Sequence, residues 1–302
     1  MTNGEMSTQP GTGTSLTSDA VPKQKERFSE RTVHLLMYLA LILLAFIYIL
    51  PALGVVLTSF KLNAEIARDG LWTLPNILHL DNYREVWVNG NIGTYMRNSV
   101  LVTIPATAFS IALGVLAGYV FSKLPFKGSE IVFMIVLSGM FFPPQIVLIP
   151  LYRFFNAVNL YDTLWPMIIT HAAFGLPICT LIMRNFFSSI PMAIREAAIM
   201  DGANEWQVLL RIVLPVSLPA LAVLATLQFT WIWNDFLYPM IFTQSDKMRT
   251  IMVGLITMKG QYSVAYGAQG AMAVIASIPT LLIFIFFQRY FIRGLTMGAI
   301  KG

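Results

Sequence analysis

Few residues in this sequence have the type and spacing to do chemistry. No His-Glu-x-x-His pair and no Cys/His cluster occurs, so no metal site is predicted. No Gly-x-x-x-x-Gly-Lys-Ser/Thr loop is present to cradle phosphates. No nucleophile–base or metal constellation marks a membrane-embedded enzyme. The single cysteine, Cys179, excludes an intrachain disulfide and reads as a buried inert thiol. What remains is a polar set inside one apolar run: Gln228, Thr230, Trp231, Trp233, Asn234, Asp235 and Tyr238. Amides and carboxylates can replace water around hydroxyls, and flat aromatic faces can cover a ring. The plainer reading of the Trp and Tyr residues is an interfacial aromatic belt. Asp235 can bind a hydroxyl, pair with a basic neighbour or cap a helix break. His171, alone in its own run, reads as a packed, hydrogen-bonded helix residue rather than a proton relay.

The elements that must position these groups are set by composition. Of 302 residues, 56% are hydrophobic and 12% charged, about half the charge of a soluble domain, and the mean hydropathy is +0.68. Six windows lack Asp, Glu, Lys and Arg altogether, and each is long enough for the roughly 20 residues that cross a bilayer. The fold class is therefore all-α, a polytopic membrane protein. Six transmembrane helices are predicted at Val33–Thr58, Ser99–Phe121, Ile131–Leu151, Leu164–Met183, Pro215–Phe242 and Gly270–Phe291. At about 1.5 Å per residue from Pro215, Gln228 and Trp231 fall in the central to outer half of the fifth span, with Asn234 and Asp235 near the outer interface. Residues 1–30, rich in Ser, Thr, Gly and Gln, are expected to form a disordered cytoplasmic tail ahead of an uncleaved first span.

An even number of spans puts both termini on one side. The loops on that side carry twelve of the 20 Lys and Arg residues, four of them (Lys23, Lys25, Arg27 and Arg31) abutting the first span. The positive-inside rule then makes both termini cytoplasmic. The scattered basic residues form no dense face for nucleic acid. Gly114 and Gly118 have the small-xxx-small spacing of ordinary helix packing. Pro51, Pro105, Pro143, Pro144, Pro177 and Pro279 each remove a backbone donor and kink a helix, as suits a bundle with a cavity.

One cytoplasmic stretch, 184–214, is too short to span and too apolar for a solvated loop. Pro191 reads as the first helical position and Asp201-Gly202 as the stop, giving a helix of about ten residues. Ala193, Ala197 and Met200 share a face, and small alanines let a partner approach the backbone. Trp206, Leu209, Leu210 and Val213 make a second stripe, stopped by Pro215. From physics alone this is either a pair of helices on the membrane surface or a docking element for another protein.

The pattern Glu196-Ala197-Ala198, three residues, Gly202, nine residues, Ile212, one residue, Leu214-Pro215 resembles the EAA loop of permease subunits of bacterial ATP-binding-cassette importers. The end of the chain, Gln288-Arg289-Tyr290-Phe291, Gly294-Leu295-Thr296 and Gly298-Ala299-Ile300-Lys301-Gly302, resembles the maltose-type carbohydrate branch, specifically the smaller permease of a pair. So do Asn82-Tyr83, Asn98-Ser99, Pro143-Pro144-Gln145, Pro150-Leu151-Tyr152 and Trp233-Asn234-Asp235-Phe236.

The resemblance implies the type I importer permease fold and a sugar path across the inner (cytoplasmic) membrane. It implies no enzymatic activity and no cofactor in this chain; ATP and Mg would be bound by a partner ATPase. The implied partners are a second permease, two ATP-binding subunits, an extracytoplasmic sugar-binding protein and membrane lipid. It makes Glu196, Ala197, Ala198, Met200, Asp201 and Gly202 the coupling helix, and brings Gly298, Lys301 and Gly302 of the tail to the ATPase. Ala193 and Arg195 stand where relatives often carry acidic residues, which bears on which ATPase subunit fits. Gln228, Trp231, Asn234 and Asp235 are the candidates for the sugar path. The rival is an ion-coupled secondary transporter or channel, which would place ionisable groups near the midplane and often show inverted repeats; neither is seen.

Overall fold

The computed structural model describes the backbone of residues 24–258 and 265–299 and the side chains of residues 31–258 and 265–290. The chain divides at Ala52 into two compact units. The first contributes most of α1 (Gln24–Ser59), whose apolar residues 32–49 are exposed, as lipid-facing side chains would be. Helix α1 begins seven residues inside the segment expected to be disordered. Gln24-Lys25-Glu26-Arg27 are good helix formers that extend the apolar run backwards. Residues 1–23 lie outside the described part.

The second unit continues with α2 (Asn63–Asp69), α3 (Asp81–Val88), α4 (Ile92–Lys123), α5 (Ser129–Ser138), α6 (Pro144–Ala157) and α7 (Trp165–Ser189). After these come α8 (Met192–Met200), α9 (Glu205–Val208), α10 (Leu214–Val216), α11 (Leu218–Trp233), α12 (Leu237–Phe242), α13 (Ile251–Thr257) and α14 (Tyr266–Ala299). No strand occurs among the described residues. Arg31–Ser59, α4, α7 and Tyr266–Tyr290 are each long and apolar enough to cross a bilayer.

The third and fifth expected spans are not continuous helices. Helices α5 and α6, joined by a single 3₁₀ turn, meet at 95°, and Glu205–Val216 meets α11 at 78°. The first break follows from Pro143-Pro144. A residue before proline is barred from the helical region, and Phe142 and Pro143 are accordingly extended, at ψ 118° and 127°. Pro144 then opens α6. The second break sits at Ser217 between Pro215 and Pro219, which lack the N–H groups a continuous helix needs. Counted one span per bent pair, the total is the six expected. The fifth span also stops at Trp233 rather than Phe242, with residues 234–236 outside the helix.

Helices α4 and α7 form the spine of the second unit. A Cβ on Gly114 would lie 2.3 Å from Cys179 Cβ, one on Gly118 2.8 Å from the Arg184 nitrogen, and one on Gly175 2.5 Å from Ser110 Oγ. The glycines therefore let the two backbones touch, the role expected of Gly114 and Gly118. Ser110 Oγ donates to the His171 carbonyl at 3.3 Å across this contact. Around the spine, Tyr119, Met183, Phe187, Ala198, Val208 and Leu224 make one apolar cluster, while Val102, Met167, Ile232, Tyr238 and Phe242 make another. The first joins the EAA segment to the spine; the second lies beside the polar set of α11.

Candidate functional site

The 184–214 stretch folds as a compact appendage on the ends of α4 and α7. Helix α8 starts one residue later than expected: Pro191 is its extended cap, at φ −56° and ψ 136°, and Met192 is its first residue. At its other end Gly202 takes φ +86°, the left-handed region. The Gly202 N–H donates to the Ile199 carbonyl and the Ala203 N–H to the Ala198 carbonyl, each at 3.0 Å. This is the paired closure that glycine permits just past a helix end. Ala198 turns inward and is buried, whereas Ala193, Glu196, Ala197, Asp201 and Gly202 are exposed and Met200 is 86% exposed.

The second stripe is divided. Trp206 and Leu210 are exposed, but Leu209 and Val213 are buried. A turn of π-helix at Leu209–Val213 shifts the register by one residue, which a 3.6-residue count cannot foresee. A capping box between Asn204 and Gln207 starts α9.

Glu205 ties the appendage together. The Arg195 guanidinium donates to both of its carboxylate oxygens, and Tyr119 Oη donates to Oε2 at 2.7 Å. Lys123, buried at the end of α4, donates from Nζ to the Ile190 carbonyl. The Arg195 hydrogen bonds hold the Glu205 carboxyl below its ordinary value, outweighing the opposing effect of burial. They raise the Arg195 guanidinium in turn. Arg195, read from sequence as a departure on the docking surface, thus has a partner within the chain.

Part of the polar set, on α11, α12 and the turn between them, lines a cavity of about 520 Å³ that the α5–α6 break and α7 also border. Gln228, Trp231 and Asp235 line it, with Trp231 70% exposed. Asn234 does not; its amide donates back to the Thr230 carbonyl at 2.8 Å. Trp233 and Tyr238 are no interfacial belt. Trp233 is buried, donating from Nε1 to the Ala276 carbonyl at 2.9 Å and stacking on Phe229.

Asp235 fills two of the roles open to it. It accepts the Leu237 and Tyr238 N–H groups at 3.0 and 3.2 Å, capping the first turn of α12. Its Oδ2 also stands 3.2 Å from His171 Nε2. His171 is therefore packed, as expected, with a carboxylate beside its Nε2 in place of the expected hydrogen bond. The approach is close without aligning a hydrogen bond, and His171 Nε2 has no hydrogen-bond partner. Its ring meets the Tyr238 ring edge-on at 5.2 Å. His171 was not legible as a cavity residue, because it lies on α7; Tyr238 belonged to the polar set, but only the break after Trp233 swings it towards α7. Of the tail residues, Gly298 lies near the end of α14, while Lys301 and Gly302 fall outside the described part.

Residues 110–297 match the family described as the binding-protein-dependent transport system inner membrane component. A probable ABC transporter permease protein, YurM of Bacillus subtilis (strain 168), is 32% identical over 93% of this chain and 92% of its own length. The diacetylchitobiose uptake system permease protein NgcG of Streptomyces coelicolor is 31% identical over 90% and 91%. A bacterial ABC transporter involved in import of the acidic polysaccharide alginate shares the fold, with a TM-score of 0.75 at 24% identity over 87% of this chain and 98% of that one. The chain belongs to the binding-protein-dependent family of inner-membrane transport components, and is a multi-pass, non-enzymatic membrane subunit of the type I ABC importer permease fold. That membership sets aside the ion-coupled carrier and channel.

Proposed function

We propose that this subunit is the smaller permease of a heterodimeric importer that carries a sugar across the cytoplasmic membrane, with both termini cytoplasmic. An extracytoplasmic binding protein delivers the sugar. Two separate ATP-binding subunits bind ATP and Mg, and their closure drives the pore between inward- and outward-facing states. Force enters through α8, with Glu196, Ala197, Ala198, Met200, Asp201 and Gly202 as the coupling helix and Gly298, Lys301 and Gly302 as a second contact. Sugar passes along Gln228, Trp231 and Asp235; Asn234, expected beside them, lies off the cavity lining.

The observation that carries this reading is the construction of α8. It is a short, non-spanning helix with an exposed face of small and flexible side chains, locked from behind to α4 through Glu205 and Tyr119. A rigid attachment behind and an open face in front are what a lever between two bodies requires. The sugar assignment is supported by the diacetylchitobiose uptake for which the Streptomyces relative is named and by the polar and aromatic lining of the cavity.

Glu196→Lys reverses a charge on the exposed face, and Gly202→Pro demands φ near −65° where the chain needs +86°. Each substitution is expected to abolish uptake and recovery of the ATPase subunits with the permease while membrane insertion stays normal. Normal uptake by both variants would remove the coupling role.

A further inference from the structure

The 520 Å³ cavity contains buried polar groups that the fold itself leaves without partners. His171 and Tyr238 are 6% and 5% exposed and both line the cavity; Tyr238 Oη has no hydrogen-bond partner, and His171 Nε2 stands 3.2 Å from Asp235 Oδ2 without an aligned hydrogen bond. Leaving such groups dry and unpaired costs about 1–3 kcal/mol each, so a native protein retains them where something else supplies the partner. Beside them, Asp235 spends one lone pair of each oxygen on the α12 backbone, and each oxygen keeps further accepting capacity. Gln228 holds its amide by long contacts only, at 3.4 Å to the Gly175 carbonyl and to Cys179 Sγ. An orphaned hydroxyl, an imidazole beside a carboxylate and a loosely held amide converge on one space, and the aromatic face of Trp231 borders it. That mixture suits a ring carrying hydroxyls on its edge and C–H groups on its faces, and the volume lies within the roughly 300–1,000 Å³ of small-ligand sites.

The charge of the cavity narrows the ligand further. Asp235 is its one acidic residue, and no lysine or arginine lines it among the described residues. Its only possible cation is His171, already beside Asp235. An anionic sugar would therefore meet a like charge in a low-dielectric site with no compensating group.

We infer that this cavity is a subsite for one uncharged glycosyl unit, with His171 and Tyr238 as hydroxyl-binding residues beside Asp235 and Gln228, and that it discriminates against acidic sugars. The inference rests on the sugar-importer reading above, and adds to it two binding residues and a charge class.

Saturation-transfer NMR tests it, using the complete importer complex in nanodiscs without the binding protein. The probes are maltose, diacetylchitobiose and an aldobiouronic acid at millimolar concentration. Transfer is expected to the ring protons of at least one uncharged probe, and transfer to the acid is expected to be at least about tenfold weaker. Tyr238→Phe, which keeps the ring and removes only the hydroxyl, should weaken binding by about three- to tenfold. Asp235→Asn, which removes the like charge, should raise the acid signal relative to that of the uncharged probe. Equal or stronger transfer to the acid in the unmodified complex, no transfer to either uncharged probe, or identical signals with and without the Tyr238 hydroxyl would each overturn the subsite. The importer reading is tested by ATPase recovery at Glu196, which this measurement does not use, so the two can fail separately.

Discussion

Glu205 is the residue on which the α8–α9 appendage turns, because from α9 its carboxylate accepts hydrogen bonds from both α8 and α4. Removing the Tyr119 hydroxyl breaks a hydrogen bond to a carboxylate, an interaction of about 1.5–3 kcal/mol. Tyr119→Phe is therefore expected to lower transport while ATPase subunits still bind, since the exposed face of α8 is untouched; paired uptake and co-purification assays would show the split. The same carboxylate sets a pH limit. Its folded pKa lies below the ordinary 4.5, so its contribution is fully present above about 4.5 and is lost as the pH falls through the lower folded value. Limited proteolysis of the appendage should be unchanged from pH 8 to about 5 and accelerate below about 4.5, whereas Glu205→Gln should be flat across that range. The EAA spacing was legible from the residues themselves, as was the glycine stop at Gly202. The Glu205 hub was not, because Tyr119 lies 86 positions away and nothing local in the chain pairs them.

At the scale of elements, the chain is governed by where helices touch and where they break. The α4–α7 contact is legible as Gly114 and Gly118 four residues apart, since small residues at that spacing have few other uses in an apolar helix. A side chain forced into that contact meets backbone as well as Cys179 Cβ, so Gly114→Val is expected to destabilise the protein by about 1–3 kcal/mol or more. A lower thermal-unfolding midpoint in detergent would register it, and an unchanged midpoint would show that the helices separate readily. The breaks were only half legible. Pro143-Pro144 marks the first in plain view, but a hydropathy window counts apolar residues without regard to direction, so a 95° bend leaves the third span looking whole. The end of α11 at Trp233 was hidden for the same reason: residues 237–242 are as apolar as the span before them, and only the Asp235 cap separates the two.

For the whole molecule, composition gave the broad class, the EAA spacing the family resemblance, and the chain-end and other short motifs the branch. A cavity and part of its lining (Gln228, Trp231 and Asp235) were legible, but His171 was not: it comes from another element and meets Gln228 and Tyr238 only after two of the apolar runs bend. The central claim is that a short helix outside the bilayer takes up work done by another subunit, and its position is directly measurable. Cys179 is the only cysteine and is buried, so a single cysteine introduced by Met200→Cys would be the one accessible thiol. In membrane vesicles of known orientation, a membrane-impermeant maleimide is expected to label that thiol from the cytoplasmic face only, and bound ATPase subunits are expected to block the labelling. Labelling from the outer face, or none from either face, would contradict the account.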